Sequence, residues 1–262
     1  MTGLSKFLPA APCLGDLLKS DGYHLTYLGG AAKKFAGKGT FYETHQFDEV
    51  AGRNELLPKL QDPQYTNAWG LYDDSLLDIA YEKYVQLAQG QKKFGLFLLT
   101  LDTHHPDGHN SRKCQQMRYR DGKNPILNSV HCADYLLTDF INRIRNSPWG
   151  RDTVIVLASD HLAMRNSAQE LLEQQPRRNL FMVFAPHDNE GREVRTRGST
   201  LDIGTTLAPF LGYEFELGLG RDLMNTESQF EARSNYIQSR LPAWSGPLSR
   251  FWEFPKISER LG

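Results

Sequence analysis

The sequence has 262 residues, of which 40% are hydrophobic and 23% are charged, as is ordinary for a globular protein with one substantial core. Thirty basic and 31 acidic side chains leave a formal net charge of -1, which provides no broad attraction for nucleic acid or anionic lipid. No apolar run approaches the roughly 20 residues of a transmembrane helix. We therefore predict no nucleic-acid partner and no membrane span in this chain.

Apolar residues recur with helical spacing in some segments and form short unbroken runs in others. Helices are predicted at Pro12–Gly22, Asp73–Gln89, Asn128–Asn146, Gln169–Gln174 and Thr200–Leu211. Strands are predicted at His24–Leu28, Phe94–Leu101, Thr153–Ala158 and Leu180–Ala185. Asp73 is placed to cap the first turn of its helix. The alternation indicates an α/β fold with a mostly parallel sheet, flanked by helices on both faces.

Two of these apolar runs end in side chains that can bind metal ions. Phe94–Leu101, whose unbroken apolar character predicts burial on both faces, leads into Asp102, Thr103, His104 and His105. Thr153–Ala158 leads into Ser159, Asp160 and His161. Ligands bind beyond the carboxyl ends of parallel strands, so we predict that both clusters face one site. Carboxylate and imidazole suit a divalent transition metal, and imidazole also suits proton transfer. Phosphate or ester chemistry is the first hypothesis.

Each candidate has a structural alternative. Asp160 also fits the N-cap of a following helix, with His161 in its first turn. His104 and His105 are adjacent, so in an extended segment only one of them faces the site. Lys38, in a glycine-rich loop, is a candidate for phosphate contact, although a solvated lysine is the commoner case. The remaining histidines have no partner at a recognisable spacing and carry no site prediction: His24, His45, His109, His131 and His187.

The three cysteines, Cys13, Cys114 and Cys132, lack the Cys-x-x-Cys spacing of a structural zinc site. Reduced, buried thiols are the default interpretation. Cys114 and Cys132 also flank a loop rich in Lys, Arg, Gly and Asn, where a disulfide would hold poorly packed backbone in place. Both alternatives remain open from the sequence.

Several segments resemble one enzyme family. Phe94–Gly108 and Trp149–Met164 are similar to segments of the membrane-anchored phosphoglycerol transferases of Gram-negative bacteria, which modify osmoregulated periplasmic glucans. The resemblance covers most of the chain through shorter motifs: Cys13–Asp16, Phe35–Lys38, Phe47–Asp48, Trp69–Asp74 and Leu217–Arg221. The family lies in the alkaline phosphatase and sulfatase superfamily, with lipoteichoic acid synthases and phosphoethanolamine transferases as relatives.

The resemblance implies roles for particular residues. Asp160 and His161 match a pair that binds a catalytic divalent cation, manganese first, with magnesium and zinc as alternatives. His104 matches a histidine that contacts the phosphoryl group or the departing and attacking oxygens. Lys38 matches a basic residue that binds glycerophosphate, and His105 is a weaker substrate-binding candidate. The implied substrates are phosphatidylglycerol and a glucan, and the implied location is the periplasmic face of the inner membrane.

The resemblance also implies that important groups lie elsewhere. The family's threonine nucleophile and a further acidic metal ligand match positions upstream of Cys13, and no threonine of this chain is nominated in their place. We expect residues 1–240 to form the C-terminal portion of a sulfatase-like catalytic domain, with the missing N-terminal part as a partner. Residues 241–262 are expected to be an aromatic and proline-containing tail packed on it. Weak metal binding and little turnover are expected of this chain in isolation.

Two competing hypotheses remain beside the transferase. One is an inactive remnant or binding module with the same fold. The other is a generic hydrolase of phosphate or sulfate esters.

Overall fold

The computed structural model describes residues 5–186, 190–225 and 229–252. The α-helices are α1 (Leu14–Ser20), α2 (Lys38–Thr44), α3 (Arg53–Leu56), α4 (Asp73–Ala88), α5 (Pro125–Arg145), α6 (Gln169–Leu172), α7 (Ile203–Leu207) and α8 (Phe230–Ser249). The strands are β1 (His24–Gly29), β2 (Glu49–Ala51), β3 (Phe94–Leu99), β4 (Ile155–Ala158) and β5 (Phe181–Phe184). Short 3-10 helices lie at Phe35–Gly37, Leu57–Lys59, Arg112–Cys114, Gly150–Asp152, Thr200–Asp202, Ala208–Leu211 and Arg250–Trp252.

The central element is a parallel sheet in the order β2, β1, β3. Leu28 of β1 lies opposite Ala51 on one side and Leu98 on the other. Leu25 and Leu28 are fully buried because β1 is paired along both edges. The predicted α/β class, with a parallel sheet flanked by helices, is confirmed.

β4 and β5 form a separate antiparallel pair, in which Ile155 lies opposite Phe184 and Ala158 opposite Phe181. The helix in the connection between β4 and β5 is α6, which has four residues. This helix is shorter than the crossover helices that usually connect parallel strands. Parallel pairing therefore holds for β1, β2 and β3, and the later strands make their own two-stranded sheet.

β3 differs from its prediction. All of its residues are half-buried, although the sequence predicts burial on both faces. The reason is its position, since within the described residues β3 pairs only with β1 and its other edge is unpaired. An apolar edge strand of this kind keeps backbone groups available for a further strand.

The core lies between the sheet and two long helices. Leu76 and Ala80 of α4 pack with Leu136 and Phe140 of α5 in one buried cluster. A disulfide between Cys114 and Cys132 lies inside this cluster. The disulfide alternative is therefore confirmed, and the bridge fastens the loop before α5 to the helix itself.

The predicted helix at Thr200–Leu211 is observed as α7 between two 3-10 turns, and it ends at Gly212 with φ of 80°. Asp202 accepts hydrogen bonds from the Ser199 amide at 2.7 Å and from the Arg221 amide at 2.9 Å. An ion pair with Arg233 adds to these contacts. Asp202 thus connects three segments instead of acting only on a helix dipole.

The proposed boundary between residues 240 and 241 falls inside α8, which continues to Ser249. After the helix, the Phe251 carbonyl accepts a hydrogen bond from the Ala10 amide at 3.2 Å. Residues 253–262 and His187 lie outside the described residues. No helix in the described part of the chain is long and apolar enough to cross a membrane.

Candidate active site

The backbone after β3 is fixed by two buried aspartates. Asp73 accepts hydrogen bonds from the Leu101 amide at 2.7 Å and the Asp102 amide at 3.1 Å. Asp102 in return accepts from the Asp73 amide at 3.1 Å and from the Ser111 hydroxyl at 2.5 Å. The prediction that Asp73 caps its own helix is therefore wrong, because its carboxylate binds the backbone after β3 and Tyr72 is the N-cap residue.

The two carboxyl groups also perturb one another. Asp73 is 1% exposed and Asp102 is 0% exposed. Burial raises the pKa of both groups, and the charge of Asp73 raises the pKa of Asp102 further. At least one of the two carboxyl groups therefore tends to keep its proton, because two buried carboxylates repel one another when both are ionised.

This anchored turn presents His104. Its amide donates to the Leu101 carbonyl at 2.9 Å, and its carbonyl accepts from the Gly108 amide at 3.0 Å. The ring Nδ1 lies 2.8 Å from the His105 carbonyl oxygen. A carbonyl only accepts hydrogen bonds, so Nδ1 carries the proton and Nε2 is left for a ligand.

Aromatic rings surround the imidazole of His104. The Trp69 ring centroid lies 3.9 Å away, and the His105 ring centroid lies 4.5 Å away on a nearly parallel plane. His105 is joined to Pro106 by a cis peptide bond. His105 therefore contacts His104 through both its carbonyl oxygen and its ring.

Lys38 begins α2 after Gly37, which has φ of 74°. Its Nζ lies 4.6 Å from the centroid of the Phe35 ring. Burial lowers the pKa of Lys38, and the negative charge of Asp160 offsets part of that effect. Lys38 is thus half-buried and within electrostatic range of Asp160, which disagrees with the alternative of a solvated loop lysine.

Asp160 and His161 follow β4 in a turn. Their side chains are 63% and 59% exposed. The alternative of a helix N-cap is wrong, because no helix begins there and Asp160 accepts a hydrogen bond only from the adjacent His161 amide, at 2.9 Å. Nδ1 of His161 donates to the Leu162 carbonyl at 2.8 Å, and its Nε2 lies 3.4 Å from Oδ2 of Asp160.

These residues are connected by a series of contacts. Phe35 lies under Lys38 and meets Trp69 at a centroid separation of 5.7 Å. The loop carrying Asp160 also contacts the loop carrying His104, since the Ser167 amide donates to the Pro106 carbonyl at 3.0 Å. The structure therefore brings the Lys38 and Asp160 loops beside one another and connects both, through aromatic and backbone contacts, to the turn of His104.

Asp160 and His161 offer suitable donors for a divalent cation, namely a carboxylate and an imidazole nitrogen. Catalytic sites usually supply three protein ligands. Among the described residues, three metal-competent side chains gather only at Cys13, Asp16 and His45. The ligand atoms of Asp160 and His161 are therefore of the types that bind a divalent cation. Within the described residues this pair supplies two ligands and not the usual three.

A cavity of about 220 Å³ adjoins this pair. It is lined by Leu162, Ala163, Leu171, Leu172, Gln175, Pro176, Arg177 and Arg178. Arginine beside apolar side chains gives the cavity an amphipathic character.

Sequence reasoning missed two contributors. Trp69 and Phe35 carry no charge, so neither was nominated, although both lie in motifs that carry the family resemblance. The reciprocal bonding of Asp73 and Asp102 was also missed, because it depends on where α4 begins relative to the end of β3.

The three-stranded parallel sheet with helices around it, and with the candidate residues in loops after the strands, is an α/β architecture. A sulfatase family model matches residues 5–213, and the chain belongs to that family. The chain is 43% identical over 255 residues to phosphoglycerol transferase I of Shigella flexneri. The same identity and length relate it to phosphoglycerol transferase I of Escherichia coli O157:H7. In each case the alignment covers 97% of this chain and 33% of the relative, so the chain spans about one third of these proteins.

Solved structures support the fold. An alkaline phosphatase superfamily protein from Vibrio parahaemolyticus superimposes with a TM-score of 0.69 at 24% identity, over 86% of this chain and 53% of that one. The lipoteichoic acid synthase LtaP from Listeria monocytogenes superimposes with a TM-score of 0.66 at 22% identity. The superposition covers 82% of this chain and 56% of that one. At these identities the similarity shows the shared architecture.

Proposed function

We propose that this chain provides part of the transfer centre of a periplasmic phosphoglycerol transferase, which moves glycerophosphate from phosphatidylglycerol to a glucan. The observation that carries the proposal is the His104 imidazole, whose Nδ1 is bound by the His105 carbonyl so that Nε2 is left for a ligand. Lys38, which feels the charge of Asp160, adds a basic and a metal-competent group to the same set of loops. The 43% identity to phosphoglycerol transferase I supports the choice of substrates.

His104 acts as the proton carrier in this proposal. With Nδ1–H donated to a carbonyl, neutral Nε2 accepts the proton of an attacking glucan hydroxyl. The protonated Nε2 that results donates its proton to the diacylglycerol oxygen that departs in the first step of the next cycle. The tilted ring of Trp69 and the stacked ring of His105 keep the imidazole in one orientation during both steps.

Lys38 and His105 bind substrate in this scheme. The Lys38 ammonium lies over the Phe35 ring, and in this scheme it contacts a phosphate oxygen. Asp160 and His161 would hold the cation, for which manganese is proposed and magnesium or zinc are the alternatives. A bound divalent cation neutralises charge on phosphoryl oxygens and lowers the pKa of an attacking hydroxyl.

The transferase needs a nucleophile and a third metal ligand, and we nominate neither in this chain. We propose that both come from the remainder of the domain, which pairs with the free edge of β3. The two-ligand character of the Asp160 and His161 pair is also the observation that favours the alternative of an inactive remnant or binding module.

The test uses the native polypeptide that contains this sequence, with phosphatidylglycerol vesicles and a periplasmic glucan. We expect diacylglycerol release together with glycerophosphate on the glucan. Release of free phosphate or sulfate from simple esters, with no glucan product, would support a generic hydrolase instead. Absence of turnover with every substrate, in a folded protein, would support the inactive alternative.

A further inference from the structure

A second group of metal-competent side chains lies outside the proposed transfer centre. Cys13 precedes α1, Asp16 lies in its first turn, and His45 follows α2. One candidate ligand atom from each of the three lies within 4.8 Å of the others. No sequence motif connects them, because Asp16 and His45 are 29 residues apart.

The geometry assigns a definite role to each atom. Nδ1 of His45 lies 2.8 Å from Oδ2 of Asp16, and a carboxylate oxygen in this position accepts the ring N–H. In the neutral imidazole this leaves the lone pair on Nε2, which lies 3.8 Å from Sγ of Cys13. A cation bound tetrahedrally by thiolate at about 2.3 Å and imidazole at about 2.0 Å separates these atoms by about 3.6 Å. The observed spacing therefore suits one shared ion.

The imidazole is held in place before any ion arrives. His45 is 2% exposed, and the Phe41 ring packs against it at a centroid separation of 4.5 Å. Asp16 is fixed in turn, since its Oδ2 also accepts the Cys13 amide at 2.8 Å. A histidine whose second nitrogen donates to a carboxylate is the usual arrangement behind a zinc ligand.

We propose that Cys13 and His45 form a binding site for a thiophilic divalent cation, zinc above all, with Asp16 orienting the imidazole. Cys13 is half-buried, so solvent reaches the thiol side and water completes the coordination. On binding, the thiol loses its proton to solvent and the sulfur–metal bond forms. The site is separate from Asp160 and His161 and does not depend on the transferase proposal.

An alternative use of the same atoms is a nucleophilic cysteine activated by histidine and aspartate. Burial raises the pKa of the Cys13 thiol to about 11, and the charge of Asp16 adds to the effect. The free thiol is therefore mostly protonated near neutral pH, which opposes catalytic nucleophilic use but leaves a slow alkylation that can be measured.

The chain offers a clean test, because Cys114 and Cys132 are bonded to each other and Cys13 is the free thiol. The rate of Cys13 alkylation by iodoacetamide is measured with and without zinc chloride, and cobalt chloride is added separately to look for thiolate-to-cobalt absorption. We expect zinc to slow alkylation at least roughly tenfold and cobalt to give the absorption band. Asp134→Asn, at an exposed position of α5, serves as the control and should leave both signals unchanged.

Three variants complete the experiment. Cys13→Ser removes the cobalt band, and Asp16→Asn weakens zinc binding by roughly 10- to 100-fold, as is typical of a residue that orients a ligand. His45→Gln should abolish the protection of Cys13 by zinc against alkylation. If His45→Gln fails to fold, the zinc affinity of Cys13→Ser provides the test. Unchanged alkylation in the presence of zinc, or equal zinc binding by Cys13→Ser and the parent chain, would overturn the proposal.

Discussion

The indole of Trp69 lies against the imidazole of His104, with a centroid separation of 3.9 Å and an interplanar angle of 35°. Trp69 is itself positioned by Asn67, whose Oδ1 accepts the Trp69 amide at 2.8 Å and the Gly70 amide at 3.0 Å. The side-chain Nδ2 of Asn67 donates a hydrogen bond to Oδ1 of Asp102 at 3.4 Å. The buried carboxylate pair and the aromatic contact therefore belong to one arrangement that orients His104.

Replacing Trp69 should slow the proposed transfer without removing it. Aromatic pairs contribute about 0.5–1.5 kcal/mol beyond their buried area, so Trp69→Leu is expected to lower kcat by about 2- to 10-fold. Trp69→Phe keeps a ring and should retain most of the rate. The measurement is kcat and KM with phosphatidylglycerol and glucan for the native polypeptide. Equal losses in both variants would show that stacking on His104 is not the cause.

His104→Ala removes the proposed proton carrier. Positioned acid-base groups contribute about 10²–10⁴-fold, so turnover should fall by at least roughly 100-fold. His131→Ala, in α5, is the matched control and should behave as the parent protein. A near-normal rate for His104→Ala would exclude the residue from the mechanism.

Asp160→Asn tests the cation assignment. Replacing the carboxylate ligand by a neutral amide should weaken manganese binding to the native polypeptide at least roughly tenfold. Calorimetry measures this affinity. Asp134→Asn, on the exposed side of α5, provides the control. Unchanged manganese affinity in Asp160→Asn would mean that the cation binds elsewhere.

The Cys114–Cys132 disulfide should contribute measurable stability. Its two cysteines are 18 residues apart, and a loop of this size corresponds to roughly 3 kcal/mol in the chain-entropy model. The double variant Cys114→Ala, Cys132→Ala should therefore unfold at lower denaturant concentration. Equal midpoints in urea for the variant and the oxidised parent would contradict this expectation.

Stability should depend on pH through Asp73 and Asp102. Their pKa values are raised in the folded protein, whereas in the unfolded chain they take the ordinary aspartate value of about 3.9. Between these values the folded protein binds more protons than the unfolded chain. The free energy of unfolding then falls as pH rises through the raised values. Urea titrations across neutral pH measure the slope.

Asp102→Asn cannot ionise and should flatten that slope. Asp121→Asn, at an exposed position, should leave it unchanged. A slope in Asp102→Asn as steep as in the parent chain would place the titrating group elsewhere.

Local signals made much of the fold predictable. Helical periodicity located α4 and α5 to within a few residues, and the apolar runs located β1 and β3. The antiparallel pairing of β4 with β5 was not predictable, because Ile155 and Phe184 suit either direction equally well. Burial of β3 was overestimated because an apolar sequence does not reveal whether a strand has a neighbour on each edge.

Site candidates were nominated where metal-competent side chains directly follow a strand, and their roles stay predictions. His104, Asp160 and His161 were nominated from that position, and the resemblance gave them roles. Trp69 could not be found by searching for ionisable groups, since it acts through its ring. Cys13, Asp16 and His45 were missed because only the fold brings the start of α1 beside the residue that follows α2.

The central claim is that His104 faces a cation held by Asp160 and His161. Crystals of the native polypeptide grown with manganese, measured for anomalous scattering at the manganese edge, test it most directly. The account predicts one strong peak bonded to the Asp160 carboxylate and to Nε2 of His161, with Nε2 of His104 turned toward the same pocket. A manganese peak bonded to neither residue, or His104 directed away from it, would contradict the account.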